Sequence, residues 1–138
     1  MSTEAQIKKI NPEETWPIRH EILWPDHPYD FVKLEEDKEG FHYGVFVGDQ
    51  LVTIVSLFVN GSDAQFRKLA TLEDHQGKGH GSDLLNHVIE KAERKGAKKI
   101  WCNARADKSG FYQRFGMYET EKKFVKEGID YVIMEKVF

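Results

Sequence analysis

Residues 69–85 read LATLEDHQGKGHGSDLL and place three glycines, Gly77, Gly79 and Gly81, between an apolar strand and the start of a helix. Because glycine has no Cβ atom, a ligand can approach the backbone closely at such positions. The first N–H groups of a helix lack internal partners, and the helix dipole makes that end positive. Residues 76–82 are therefore predicted to bind a phosphate or a pyrophosphate.

The spacing of these glycines excludes two common phosphate-binding loops. A Walker loop requires Gly-Lys followed by Ser or Thr, and neither tripeptide occurs in the chain. The dinucleotide fingerprint requires Gly-x-Gly-x-x-Gly in an early βαβ unit, whereas this run is Gly-x-Gly-x-Gly and lies past the middle of the chain. A flexible turn that merely caps a helix is the alternative interpretation.

Length and composition indicate a single domain that spans residues 1–138. The formal net charge of -3 gives no basic surface for nucleic acid. The one cysteine, Cys102, excludes an internal disulfide and is typical of a reducing compartment. No apolar run reaches the roughly 18 residues of a membrane span, and the first residues do not resemble a signal peptide. We therefore expect a cytoplasmic protein without a membrane partner.

The hydrophobic patterning predicts an α+β fold with a mixed, mostly antiparallel sheet. The predicted strands are residues 5–10, 41–47, 51–59, 65–72, 99–102, 117–126 and 129–137. A first helix starts at Asn11 and Pro12, and further helices are predicted over residues 82–95 and 108–115. Since a helix joins the fourth and fifth strands, these two should lie parallel in the sheet.

Two motifs together resemble the GNAT N-acetyltransferase superfamily over residues 40–120. Gln76, Gly79 and Gly81 match its Gln/Arg-x-x-Gly-x-Gly/Ala acyl-CoA loop, and GFYQRFGM at 110–117 resembles its x-Tyr-x-x-x-Gly-Phe segment. Within the superfamily the chain is most similar to an ElaA-like branch. The resemblance implies a sheet of about seven strands, about four flanking helices and a splayed parallel strand pair at the cofactor site.

The resemblance also implies acetyl-CoA as co-substrate and acetyl transfer to a primary amine by direct attack within a ternary complex. The implied cofactor-binding residues are Leu69, Ala70, Thr71, Gln76, Gly77, Lys78, Gly79, His80, Gly81, Ser82 and Arg114. The N–H groups of residues 77–82 would hold the pyrophosphate, and Leu69 N–H would face the acetyl oxygen. Arg114 matches a basic position near the CoA 3′-phosphate, although a solvated helix charge is an equally simple interpretation.

Tyr112 matches the general acid of the family, whose hydroxyl protonates the departing CoA thiolate. The alternative is a core tyrosine that packs beside Phe111 and Phe115. Among the positions that depart from the family pattern, Arg105 stands where an Asn is usual, and Tyr131 stands where the ElaA-like branch often has a His.

No general base is evident, because residues 64–71 contain no acid where many members carry a Glu. The candidates are Glu73, Asp74, His75 and His42, and each of them has a solvated or structural role as its alternative. The histidines show no metal-binding spacing, so no metal is expected.

The acceptor is predicted to be a small-molecule amine or an amino-terminal or lysyl group. The acids on presumed rim loops, Asp26, Asp30, Glu127 and Asp130, favour a cationic amine. Two further hypotheses remain open: an acyl-CoA-binding sensor module without turnover, and an unrelated phosphate-ligand protein. A homodimer formed through the edge strands also stays open.

Overall fold

A seven-stranded sheet organises the protein in the computed structural model, which describes residues 4–138. The strands are β1 (Ala5–Ile10), β2 (Phe41–Val47), β3 (Gln50–Asn60), β4 (Asp63–Thr71), β5 (Lys99–Arg105), β6 (Tyr118–Lys126) and β7 (Ile129–Val137). The α-helices are α1 (Pro12–Ile18), α2 (His80–Arg94) and α3 (Ser109–Gln113). A π-helical turn (Arg19–Leu23) continues α1, and 3-10 turns cover Tyr29–Val32, Glu35–Glu39, Glu73–His75 and Ala106–Lys108. Within the described range no helix is long and apolar enough to cross a membrane.

The strand order confirms the predicted α+β fold. The sheet runs β1-β2-β3-β4-β5-β7-β6, and every neighbouring pair is antiparallel except β4 and β5. These two strands are parallel because α2 connects them as a crossover. Three α-helices and the π-helical turn stand where about four helices are predicted.

The parallel pair separates soon after it forms. Asp63–Gln65 of β4 pair with Lys99–Trp101 of β5, and no further residues of the two strands are in register. The facing edges of both strands beyond this point therefore have no strand partner for their backbone groups. The sheet is split at its centre, as the resemblance implies for the cofactor site.

Helices cover both faces of the middle of the sheet, whereas the edge strands β1 and β6 are largely exposed. Helices α2 and α3 cover one face, where the larger apolar core lies, and α1 covers the other face through Ile18, which packs near Ile54 and Ala70. Cys102 and Ala104 belong to the larger core, so the alternation of β5 turns Asn103 and Arg105 towards the α1 face.

A buried polar network that the sequence does not predict fixes the chain after α1. The Arg19 guanidinium, fully buried, donates to both carboxylate oxygens of Asp37 at 2.8 and 2.9 Å. It also donates to Val32 O at 2.9 Å and to Ser56 Oγ at 2.8 Å. The His42 ring lies between Ser56 Oγ and Asp37 O, at 2.7 Å from each. The network holds the π-helical turn and the loops before β2 against the middle of the sheet.

The predicted boundaries hold where turn residues flank an alternating strand. Phe41–Val47 and Ile129–Val137 are found as predicted, whereas β5 continues to Arg105 instead of ending at Cys102. The last helix is shorter than predicted because a 3-10 turn precedes it and Gly116, with φ +85°, follows it. Burial raises the pKa of the Cys102 thiol to about 12, which makes this residue a structural thiol.

Candidate functional site

The gap between β4 and β5 opens into a cleft of about 690 Å³. The end of β4, the glycine loop, the region of α3, the π-helical turn and the last two strands all contribute to its walls. The predicted cofactor-binding residues on these walls are Leu69, Ala70, Thr71, Gln76, Gly77, Gly79, His80, Gly81, Ser82 and Arg114. Lys78 does not line the cleft, and Tyr112 does.

The glycine loop forms a cradle of free backbone donors. Gly77 and Gly79 have φ values of +76° and +88°, which favour glycine, and a Cβ at either position would meet nothing within 4 Å. Within residues 4–138 no backbone N–H from residue 77 to residue 82 has a hydrogen-bond acceptor. Helix α2 begins at His80 and adds its positive dipole end. The donors and the open space fit a phosphate or pyrophosphate.

Gln76 and Thr71 fix this cradle to the end of β4. The Gln76 side-chain amide donates to Thr71 O at 3.0 Å. The Thr71 hydroxyl in turn lies 3.0 Å from that of Thr53 on β3. A Cβ on Gly81 would lie 3.8 Å from Thr71 Oγ1, so the start of α2 lies directly over the strand end. These contacts set the loop at the mouth of the split sheet.

A β-bulge at Lys68 and Leu69 distorts β4 inside the cleft. Ser56 pairs with Arg67 and Ile54 pairs with Ala70, so that two residues of β4 oppose the single residue Val55. Lys68 has a φ of +63°, in the left-handed region that is costly for a residue with a Cβ atom. The bulge interrupts the ladder and reorients backbone groups next to the gap. It lies where the resemblance requires Leu69 N–H to face an acyl oxygen.

Tyr112 stands on the α3 wall of the cleft with a protonated hydroxyl. Its ring packs against Phe66 and Phe111, with centroids 5.7 and 5.2 Å away. Burial, reinforced by the nearby Cys102 thiol, raises the pKa of Tyr112 well above its ordinary value of 10.0. The Tyr112 side chain lines the cleft beside that of Phe111. The side chain can therefore donate a proton to a group bound in the cleft.

Of the four candidate bases, one reaches the cleft. His75 lines it, and the buried Nδ1 of its ring has no partner among residues 4–138. Glu73 and Asp74 are not on its walls, and His42 is held inside the Arg19 network away from the cleft. The geometry thus reduces the set of predicted candidates to His75.

A group of basic and aromatic side chains on the α1 side of the cleft was not predicted as part of the site. Lys68, Arg105 and Lys126 line this part together with Trp24 and Tyr131. The signal for Arg105 was the apolar alternation of β5, which turns Cys102 and Ala104 to the opposite face. Lys68 gave no signal, because the bulge that directs it depends on the register with β3.

The four acids predicted at the rim of the acceptor entrance, Asp26, Asp30, Glu127 and Asp130, do not line the cleft. Glu127 lies 3.2 Å from His27 Nε2 instead, and Asp30 pairs with Lys33 at 2.9 Å. Among residues 4–138 no cluster of His, Cys, Asp and Glu side chains could hold a metal ion.

Comparisons with known proteins agree with this architecture. Residues 13–138 match the family described as acetyltransferase (GNAT) domain. An uncharacterized N-acetyltransferase of Bacillus subtilis strain 168, YitI, is 36% identical in an alignment of 141 positions that covers 95% of each chain.

Two solved structures share the fold. Escherichia coli ElaA superposes with a TM-score of 0.79 at 17% identity, over 96% of this chain and 99% of ElaA. A GNAT family acetyltransferase from Elizabethkingia anophelis with acetyl-CoA bound gives a TM-score of 0.75 at 19% identity, over 97% and 98% of the two chains.

Proposed function

The chain belongs to the GNAT acetyltransferase family, and on that premise we propose that it transfers an acetyl group from acetyl-CoA to a primary amine within a ternary complex. The observation that carries the proposal is the cradle of free N–H groups at residues 77–82, which opens onto the same cleft as the protonated Tyr112. One cleft thus combines donors for a pyrophosphate with a donor for a leaving group.

The donor half of the cleft suits acetyl-CoA in particular. The pyrophosphate would accept hydrogen bonds from the N–H groups of residues 77–82, and the free edge of β4 at Leu69–Thr71 would bind the pantetheine arm. Arg114 would approach the 3′-phosphate. The Elizabethkingia anophelis protein, of the same fold, has acetyl-CoA bound, which supports this choice of donor.

The chemistry assigned to the protein consists of positioning, charge stabilisation and one proton transfer. Acetyl-CoA supplies a thioester carbonyl, which the neutral amine attacks directly. Leu69 N–H, at the bulge, would donate a hydrogen bond to the carbonyl oxygen as negative charge develops there. Tyr112 would then give its hydroxyl proton to the sulfur as the carbon–sulfur bond breaks.

The acceptor amine needs a base, because it is protonated at neutral pH. An alkylammonium with a pKa of about 10.4 requires roughly 4 kcal/mol for deprotonation near pH 7.4. No carboxylate of residues 4–138 lines the cleft, so His75 or a chain of water molecules would accept this proton.

The test compares Tyr112→Phe with Tyr118→Phe, a matched change at an exposed tyrosine outside the cleft. A thiol of pKa near 8.5 is a fair leaving group, so we expect kcat to fall about 100-fold, at the low end of general acid catalysis. CoA release in the presence of an amine panel measures kcat, and calorimetry measures the Kd of acetyl-CoA, which should change less than about twofold. Wild-type kcat in Tyr112→Phe would remove Tyr112 from this role.

The same assay separates an enzyme from a binding module. An enzyme releases CoA faster when a suitable amine is added, whereas an acyl-CoA sensor binds acetyl-CoA and releases no CoA in response to any amine. Binding without turnover across the panel would therefore favour the sensor.

A further inference from the structure

The cleft is strongly basic although the chain carries a formal net charge of -3. Six cationic side chains line it: Arg67, Lys68, Arg105, Lys108, Arg114 and Lys126. Among residues 4–138 no Asp or Glu lines the cleft at all. Such a concentration of one sign of charge attracts anionic ligands and disfavours cationic ones. A bound CoA accounts for some of these cationic side chains, and the others are available to bind a second ligand.

The cations divide between the two faces of the sheet. Lys108 and Arg114 flank α3, on the side where α2 presents the glycine cradle. Arg105 points to the α1 face, because its β5 neighbour Ala104 is in the core under α2. Arg105 is opposite Tyr131 on β7, so the Tyr131 side chain lies on the same face of the sheet.

The same face continues to the edge strand β6. Tyr131 is opposite Phe124, and the two rings stack with centroids 5.1 Å apart. Lys126 follows Phe124 by two residues and therefore lies on the same side of β6. Arg105, Tyr131, Phe124 and Lys126 thus form one row across three strands, on the face opposite α2.

Trp24 joins Lys68 to this row. The Lys68 ammonium lies 5.7 Å from the Trp24 ring and the Arg105 guanidinium lies 5.3 Å from it. Arg105 also donates to Leu23 O at 3.2 Å, which directs its side chain over the cleft. Two cations therefore share one indole ring at the end of the cleft that lies across the sheet from the cradle.

We infer that the acceptor is a small amine that carries an anionic group, a carboxylate or a phosphonate, bound by Lys68, Arg105 and Lys126. The inference rests on the proposed function and names the substrate class of that site. The three cations lie on the sheet face opposite the glycine cradle, so the CoA pyrophosphate does not account for them. The aromatic surface of Trp24, Phe124 and Tyr131 would contact the carbon skeleton of such an acceptor.

The electrostatics of Lys68 agree with this geometry. Burial, together with the charges of Arg67, Lys126, Arg19 and Arg105, lowers its pKa from 10.5 to about 8. An anion placed among these groups would relieve their mutual repulsion and restore the charge on Lys68. The acidic loops that suggested a cationic amine do not reach this end of the cleft.

Matched acceptors test the inference directly. Each of a set of amino acids with aromatic or aliphatic side chains is compared with its carboxamide and its decarboxylated amine, for example phenylalanine, phenylalaninamide and phenethylamine. The corresponding aminophosphonates form a second arm, which separates a carboxylate site from a general anion site. We expect kcat/KM to be at least about tenfold higher for the anionic member of a matched set, as for a charge-assisted hydrogen bond.

Two substitutions on one strand provide the control. Lys126→Gln should lower kcat/KM for the anionic acceptor about tenfold and change the value for its amide less than twofold. Lys123→Gln, on the other side of β6 and outside the cleft, should leave both values unchanged. The KM of acetyl-CoA should stay the same in both variants.

The outcomes separate this inference from the proposed function. If acetyl-CoA binds but neutral or cationic amines are acetylated as well as their anionic partners, the anionic acceptor is wrong and the acetyltransferase stands. The anionic acceptor is also wrong if no anionic amine binds to the CoA-loaded protein in calorimetry. If acetyl-CoA itself does not bind, the proposed function fails first.

Discussion

Replacing Asp37 by Asn should strongly lower the unfolding temperature (Tm) of the protein. The carboxylate accepts two hydrogen bonds from Arg19, one from the Leu34 N–H at 3.0 Å and one from Trp16 Nε1 at 3.1 Å. Burial alone would raise the pKa of Asp37, but these donors and the Arg19 charge hold it below the ordinary 3.8. Asn would leave the buried guanidinium without a counterion and turn an amide N–H towards its donors.

The magnitude follows from the burial of both partners. The side chains of Arg19 and Asp37 are 0% and 4% exposed, and removing one member of such a buried pair costs about 3–5 kcal/mol. For a domain of this size, 1 kcal/mol corresponds to about 3–4 °C in Tm. We therefore expect the Tm of Asp37→Asn to fall by about 9–20 °C.

Glu36→Gln is the matched control, because the neighbouring residue makes an exposed ion pair. Glu36 Oε1 lies 2.7 Å from Arg67 Nη1, and the Glu36 side chain is 47% exposed, so the loss should stay below about 1 kcal/mol. Thermal unfolding followed by circular dichroism or calorimetry at pH 7 measures both variants.

The pH dependence of the difference follows from the pKa. Because the pKa of Asp37 is lowered, its stabilisation is complete above the ordinary value of 3.8 and is lost as the pH falls through the lower value in the folded state. Equal losses for Asp37→Asn and Glu36→Gln at pH 7 would refute the structural argument.

Three further substitutions test the cleft itself. Lys68→Met should raise the free energy of unfolding by about 1–2 kcal/mol below pH 8, because it removes a buried charge, and this gain should shrink as the pH rises towards 10.5. Urea titrations over that pH range measure the gain, and its absence at neutral pH would contradict the lowered pKa of Lys68. Arg114→Gln should weaken the binding of acetyl-CoA about tenfold in calorimetry and leave the binding of the 3′-dephospho analogue unchanged. If the binding of both weakens equally, Arg114 does not contact the 3′-phosphate. Gly79→Ala should cost about 1 kcal/mol of stability at its positive φ and weaken acetyl-CoA binding. Gly110→Ala, inside α3, should leave acetyl-CoA binding unchanged and stabilise the protein by less than about 1 kcal/mol.

The fold could be predicted well from the sequence because its signals are local. The glycine loop and the alternation in the strands are both properties of short segments. The parallel β4–β5 pair followed from the helix between the two strands, and the GNAT resemblance is confirmed by the family match. Segments that depend on distant partners were predicted less well.

The Arg19–Asp37 network shows why local signals were insufficient. Its members come from the π-helical turn, the 3-10 turns before β2, β2 and β3. In the sequence alone, a charged pair at these positions is typical of solvated surface. His42 was a candidate base for the same reason, since its burial between Ser56 and Asp37 is a tertiary contact.

The basic charge on the α1 side of the cleft could not be predicted either. The acids on the loops are numerous in the sequence, but where they point depends on partners such as His27 for Glu127. Lys68 reaches the cleft through a bulge, and a bulge is set by the register of two strands and not by the residue itself.

Thermal unfolding with and without acetyl-CoA, with ATP and NAD as controls, tests the central claim most directly. At about 100 times its dissociation constant a ligand adds roughly 2.7 kcal/mol to stability, which corresponds to about 8–11 °C in a domain of this size. The account predicts this shift for acetyl-CoA and a much smaller one for ATP and NAD. No shift at millimolar acetyl-CoA, or an equal shift with ATP, would contradict it and leave the cradle as a general phosphate site.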